Sequence, residues 1–285
     1  MSYKTIFMMK DVSAQSKRPK PPHGKMDFFR CLQEGIESSW IPTLTQEDID
    51  PPEQSILPPT IPKRISQYWH SETLPDDVAC SIEKVKNNNP DFDLVLTHDE
   101  SARAFLHTHF GQDMVALFDV CFHPAMRSDL WRMCDMYVHG GIYVDVDISM
   151  HAPLAHITGH ASYECFLLYA MGRPWCIENG LIISRKKHPV IEAIIHALCE
   201  SLTRYKNNPN SFENIWVNTG PGITTIGAIK YLFEVTPQWA PRVCGDGFLL
   251  GHHSRAGASY GHDELAYKVS AEGNWRKARP PHRRA

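Results

Sequence analysis

Two aspartates, Asp145 and Asp147, flank Val146 directly after the apolar run Ile142, Tyr143, Val144 in the segment GGIYVDVDIS. Side chains on a strand alternate between faces, so this spacing puts both carboxylates on one face. Where a strand opens into a loop, both can turn toward one point. Two carboxylates brought together repel one another unless a cation sits between them. A hard divalent ion such as Mn²⁺ or Mg²⁺ suits oxygen ligands and can bridge to a diphosphate, neutralising the charge that develops when that diphosphate leaves. The pair is thus a candidate metal centre and a candidate catalytic centre.

By itself an Asp-X-Asp sequence also fits a solvated turn, and a strand followed by DxDxS resembles the nucleophile loop of haloacid-dehalogenase-type phosphatases. The double glycine and apolar strand before the pair argue against a surface turn. About 80 residues of α/β pattern precede the motif, whereas the phosphatase loop opens its domain.

The elements that must position the pair are legible as periodicity. From Ile61 onward short apolar runs alternate with longer amphipathic stretches, the mark of a layered α/β domain. Strands are expected at about 63–69, 92–97, 142–149, 164–169, 179–184 and 243–249. Helices are expected at about 76–88, from about Asp99 with Asp99 or Thr97 as cap, at 112–120, at 124–138 ending on Gly140 and Gly141, at 189–205 and at 222–234. This alternation predicts a mostly parallel sheet between helices, with the ligand site at the carboxyl ends of strands. Residues 1–60 differ: the Pro-rich patches KRPKPP, DIDPPEQ and LPPTIP enclose one expected helix at about 27–38 and read as an arm that packs on the core or mediates self-assembly.

Bulk properties narrow the function. The formal net charge of -3 gives no reason to expect a nucleic-acid partner. The short basic runs at 17–20 and 276–284 read as solvated ends. No stretch approaches the roughly 18 apolar residues that span a bilayer, so a cytoplasmic enzyme, at most peripheral to a membrane, is expected. Eight cysteines without a CxxC pair read as reduced thiols, and the His107/His109 and His252/His253 pairs match no zinc spacing.

Taken as a unit, Arg127 to Ser149, RSDLWRMCDMYVHGGIYVDVDIS, closely resembles the sugar-binding DXD region of glycosyltransferase family 32, which includes fungal α-mannosyltransferases and bacterial capsule enzymes. The glucosylating domains of clostridial toxins share the same core pattern. Further segments resemble the family in the same order: IPKRISQYWHSETLPDD (61–77), ENGLIISRKKHPVI (178–191), NTGPGITT (218–225) and VSAEGNW (269–275).

The resemblance covers about 61–276, a GT-A type Rossmann-like catalytic domain, and leaves 1–60 and the basic tail 277–285 outside it. It implies a retaining, metal-dependent hexosyltransferase that takes its sugar from a nucleotide-diphosphate donor and passes it to a glycan, lipid-linked or small-molecule acceptor. Asp147 is the expected direct metal ligand, with Asp145 sharing metal and ribose. Asp129 and Arg132, three apart on one helix face, pair with each other and recognise donor hydroxyls. Trp69 is matched to an aromatic that stacks on the donor base. Gln67, Tyr143, Asn179, Asn274 and Trp275 complete the expected donor contacts. Ser66 and Ser270 stand where the family commonly has His, which leaves His252, His253 or His262 as substitutes, and the Gly- and His-rich stretch 250–263 reads as a lid.

Overall fold

The structure is a computed structural model that describes residues 20, 22–38, 40–41, 43, 60–150, 164–234, 248–252, 258–260, 265–270 and 273–281. The expected strand near 243–249 lies largely outside them, as do His253, His262 and most of the expected lid.

Strands β1 (Arg64–Tyr68), β2 (Asp93–Thr97), β3 (Gly141–Val144), β5 (Cys165–Ala170), β6 (Cys176–Ser184) and β7 (Leu249–His252) form one sheet in the order β2-β1-β3-β6-β5-β7. A second ribbon pairs β4 (Ile148–Met150) with β8 (Ala258–Tyr260). In the large sheet β2, β1, β3, β5 and β7 run one way, and β6 is antiparallel to both neighbours. The α/β class with a mostly parallel sheet, expected from the sequence, is the one observed.

Strand residues alternate in their burial. Ile142, Val144, Phe166, Leu168, Leu181 and Ile183 meet Ile65 and Val85 on one face, whereas Tyr143, Leu167 and Ile182 meet the larger helical layer on the other. Both faces are covered, which is why these strands read as continuous apolar runs rather than as alternation with polar residues.

The helices are α1 (Lys25–Glu37), α2 (Asp76–Asn88), α3 (Asp99–Phe110), α4 (Gln112–Val120), α5 (Pro124–His139), α6 (Pro189–Asn207), a single turn α7 (Ile215–Asn218) and α8 (Pro221–Glu234). Helix α3 is capped by His98, whose backbone N–H donates to the Ser101 hydroxyl oxygen at 3.1 Å; Asp99 is instead its first helical residue. The Asp99 carboxylate is taken up by the Tyr68 hydroxyl and by Arg127, contacts that need tertiary structure and outweigh a local cap.

Helix α5 is buried almost throughout, from Met126 to Met136, and its charges are paired. Arg64 on β1 donates from Nη1 and Nη2 to the two Asp135 carboxylate oxygens at 2.7 and 2.9 Å, and His139 Nδ1 lies 2.9 Å from Oδ1. Burial alone would raise the Asp135 pKa, but hydrogen bonds from His139 and Arg64 carry it below the usual value.

The N-terminal segment is part of the core. Leu32 is fully buried, Trp40 and Ile41 nearly so, and Trp40 packs on Phe233 of α8 at 5.4 Å between ring centroids. Among the described residues no helix is long and apolar enough to cross a membrane.

Candidate active site

The site forms where β1, β3 and β6 end. Entry into β3 needs two residues with positive φ, and Gly140 (φ 64°) and Gly141 (φ 100°) supply them. A Cβ on Gly140 would lie 2.7 Å from the Lys186 backbone nitrogen, and one on Gly141 would lie 2.6 Å from the Arg64 carbonyl oxygen. The glycines therefore let β3 enter between β1 and β6. Register then decides what lies beside the aspartates. Val144 pairs with Leu181, and the next residue, Asp145, donates its N–H to Gly180 O at 2.8 Å. The turn closes with Ile148 N–H on Asp145 O at 3.1 Å, and Ser81 of α2 anchors it by donating to Val146 O at 2.6 Å.

Beneath this turn lies a connected polar cluster. Arg132 Nη1 is 3.1 and 3.2 Å from the two Asp145 carboxylate oxygens and donates to Asn179 O at 2.7 Å. Its Nη2 donates to Ser128 Oγ at 2.9 Å and lies 3.2 Å from Asp129 Oδ1. The guanidinium stacks 4.5 Å from the Tyr143 ring centre, and the Tyr143 hydroxyl donates to Asp145 Oδ1 at 2.7 Å. Asp129 accepts from Asn179 Nδ2 and from Thr219 Oγ1, both at 2.9 Å.

Burial dominates the electrostatics of this cluster. It pushes the Asp129 pKa up to about 6, against the pull of Arg132, Thr219 and Asn179. Burial also opposes charge on Arg132, yet Asp145, Tyr143 and Asp129 together hold its pKa above the ordinary value, so it stays cationic.

Above the cluster opens a cleft of about 910 Å³, in the upper part of the range for small-molecule sites. Asp129, Arg132, Asp145, Asp147, Asn179, Trp69, Asn274 and Trp275 all border it. The expected metal pair and the expected sugar pair thus border one cleft, joined by the Arg132–Asp145 contact, and the two C-terminal residues border it too. Trp69 continues β1, is nearly buried, and packs edge-on against Tyr267 at 5.0 Å while its indole N–H donates to Thr73 O at 3.3 Å.

Gln67 and Tyr143, expected against the donor, do not border the cleft. Both are fully buried inside their strands, each two residues short of the position, Trp69 or Asp145, that does reach the cleft. Tyr143 acts through Asp145 and Arg132. Ser66 is likewise buried within β1, so the position where the family has His is also turned inward. Ser270 does border the cleft and accepts the Gly273 N–H at 2.9 Å, closing the turn that presents Asn274 and Trp275.

Other contributors were not singled out by sequence reasoning. Lys268 forms an ion pair with Asp147 Oδ2. Burial and the nearby Arg276 lower the Lys268 pKa to about 8, with Asp145 opposing. Arg276 and Arg279, read from sequence as solvated tail, also border the cleft, and Arg276 stacks 4.7 Å from the Trp275 ring centre. Thr219 lies in the segment Asn218 to Pro221, read from sequence as lining the sugar or acceptor side, and Ser128 lies inside the SD motif; Lys268 carries no sequence signal.

A divalent cation fits the donor set. Asp145 and Asp147 offer carboxylate oxygens in the cleft wall, and among the described residues no group of three or more His, Cys, Asp or Glu forms a complete cage. An Mg²⁺- or Mn²⁺-type ion held by one or two carboxylates completes its shell with water and substrate phosphate. His252 is on β7, with its ring edge-on to Tyr169, and is not among the cleft residues.

Residues 75–164, which contain both acidic pairs, match the family model described as "Glycosyltransferase sugar-binding region containing DXD motif". This region of the chain is similar to the sugar-binding region of that glycosyltransferase family. Inositol phosphoceramide mannosyltransferase 1 of Schizosaccharomyces pombe is 24% identical over 64% of this chain and 55% of its own length. An uncharacterized glycosyltransferase, L373, of Acanthamoeba polyphaga mimivirus is 28% identical over 47% of this chain and 54% of its own. A solved structure titled PaToxG Glycosyltransferase superposes on 73% of this chain and 78% of its own with a TM-score of 0.46 and 16% identity. The chain spans about half the length of the curated relatives it matches first.

Proposed function

We propose that the chain is a retaining, divalent-metal-dependent glycosyltransferase that moves a hexose from a nucleotide-diphosphate sugar to an acceptor hydroxyl. The observation that carries this reading is the bonded cluster of Asp129, Arg132, Asn179 and Asp145 in a cleft that Asp147, Lys268 and Arg276 also border. One half suits the hydroxyls of a sugar, and the other suits a diphosphate with its cation.

In this reading Asp145 and Asp147 hold an Mn²⁺ or Mg²⁺ ion, which supplies charge neutralisation to the departing diphosphate. Lys268 leaves Asp147 and, with Arg276 and Arg279, adds donors to the phosphate oxygens. Arg132 is fixed from four directions and holds Asp145 in place, so little reorganisation is needed when charge develops. Asp129, held by Asn179 and Thr219, accepts from the sugar hydroxyls. Trp69 and Tyr267 border the part of the cleft where the nucleoside base would lie.

The bond from the anomeric carbon to the phosphate oxygen breaks, and a bond from that carbon to the acceptor oxygen forms on the same face. The acceptor proton passes to the departing phosphate oxygen, so no side chain is assigned as general base. Retention of configuration rests on the resemblance to family 32. Names of relatives such as inositol phosphoceramide mannosyltransferase make mannose the first sugar to test, ahead of glucose and galactose.

Calorimetric titration of UDP and GDP with and without Mn²⁺ tests the reading. The account expects one nucleotide to bind with the metal and to bind far more weakly without it or after Asp147→Asn. Equal binding in all three cases would leave a metal-free nucleotide-binding protein as the better description. Phosphate release from simple phosphoesters, abolished by Asp145→Asn, would favour the phosphatase reading instead.

A further inference from the structure

The lining of the cleft changes in the order in which the strands lie. Trp69 continues β1, Asp145 and Asp147 continue the neighbouring β3, and Glu178 and Asn179 lie on β6, the next strand. Helix α8 packs on β6, where Ile177 N–H donates to Thr225 Oγ1 at 2.8 Å, and its start together with α7 brings Ile215, Trp216, Gly220 and Pro221 to the cleft. Thr219, between them, donates to Asp129, so this end begins where the sugar-recognising cluster stops.

Its chemistry differs from that of the rest. Phe122, Pro124, Ala125, Ile215, Trp216 and Pro221 are apolar cleft residues of these segments, and His123 among them turns its Nδ1 to the Ala125 N–H at 3.1 Å as the cap of α5. Phe122 packs against Phe212 at 5.3 Å, which draws the start of α5 to the segment that leads into α7. Sugar hydroxyls placed against such a wall would lose water without gaining partners, whereas hydrocarbon gains by leaving water.

Trp216 is the built part of this wall. Phe29 of α1 stacks on it at 5.5 Å with 29° between the planes, and Lys25 of the same helix pairs with Glu213. On α8, Gly222 lets the helix backbone approach the ring: a Cβ there would sit 3.0 Å from both Cε3 and Cζ3 of Trp216. An aromatic side chain that is only partly buried, yet held from two elements, is a pre-organised contact surface.

We infer that Trp216, positioned by Phe29, forms an acceptor subsite for an alkyl portion of the acceptor that adjoins its hydroxyl-bearing head. This rests on the transferase reading, since it places the acceptor beyond the donor sugar along the strand order. It also gives the N-terminal helix a task at the site: α1 holds a specificity-determining residue without touching substrate.

Saturation-transfer NMR on the full chain with Mn²⁺ and GDP or UDP, using methyl and octyl glycosides of glucose, galactose and mannose, tests the inference. The octyl compounds should bind about tenfold or more tightly than the methyl ones, with saturation concentrated on the chain methylenes. Trp216→Ala should remove that preference, Trp216→Phe should keep part of it, and Phe29→Ala should weaken it while nucleotide affinity stays the same. Equal binding of methyl and octyl glycosides, or an octyl preference that survives Trp216→Ala, would overturn the subsite. Nucleotide titration of the same samples separates the two failures: if nucleotide binds with metal but the octyl preference is absent, only the subsite falls, and if nucleotide does not bind, the transferase reading falls with it.

Discussion

Asp129 carries the clearest pH signature. Its carboxyl is raised from 3.8 to about 6, so its neutral form is the one the fold favours. The stability it contributes is therefore fully present below pH 3.8 and is lost as pH rises through about 6. Recognition of sugar hydroxyls needs the opposite form, the carboxylate, so kcat/KM should rise through an acid limb near pH 6 while that part of the stability falls. Asp129→Asn should abolish the limb and lower kcat/KM on the order of 10- to 100-fold, the range for a hydrogen bond to a charged group. Lys268 offers a second test at this scale. Removing it by Lys268→Ala frees Asp147, so Mn²⁺ binding without nucleotide, followed by electron paramagnetic resonance, should tighten about fivefold, the equivalent of ~1 kcal/mol for a partly exposed pair. Nucleotide affinity should move the other way, because a phosphate donor is gone. Unchanged metal binding would mean that the ammonium does not compete for that carboxylate.

At the scale of elements, β3 and α5 place the chemistry, and each depends on one local device. Gly141→Ala puts a side chain at φ 100° and against the Arg64 carbonyl, so β3 must shift or strain. A loss of about 1–3 kcal/mol in chemical denaturation, together with weaker metal binding, is expected. Arg64 joins β1 to α5 through Asp135, whose side chain is only 2% exposed. Arg64→Ala leaves that buried carboxylate without its cation, with only His139 and the Ser66 hydroxyl as side-chain partners, and a cost of about 3–5 kcal/mol is expected. The lowered pKa of Asp135 fixes the sign of the wild-type pH response. Its contribution is present above the ordinary value of 3.8 and is lost as pH falls through the lower folded value, so the penalty of Arg64→Ala should shrink in acid. A penalty independent of pH would show that the pair is held by packing instead of charge.

Over the whole molecule, much of the fold is legible in the sequence because its strands are short apolar runs and its helices are amphipathic. Helices α2, α4 and α5 fall within one residue of their expected bounds. The RSD…VDVDIS segment was legible as a site because local spacing and strand register bring its residues together. Lys268, Arg276 and Trp216 were not, since tertiary packing alone carries them to the cleft. Tyr143 and Gln67, expected against the donor, lie two residues before Asp145 and Trp69 and stay inside the sheet, as periodicity fixes which residues share a face but not how far along the strand the cleft begins. The N-terminal segment read as an arm that packs on the core or mediates self-assembly, its prolines giving no sign of which; among its described residues Leu32, Trp40 and Ile41 are buried in the core. Deleting residues 1–41 should cost about 5 kcal/mol or more from their lost burial and lower the melting temperature by about 10 °C or more; an unchanged melting temperature would make the segment an appendage after all. The most direct test of the central claim follows nucleotide release by NMR from GDP-mannose, UDP-glucose and UDP-galactose with Mn²⁺ present. The account predicts slow, metal-dependent release from one donor, with the sugar freed or transferred, and its loss in Asp147→Asn. Release that is absent from every donor, or that persists in Asp147→Asn, would contradict it.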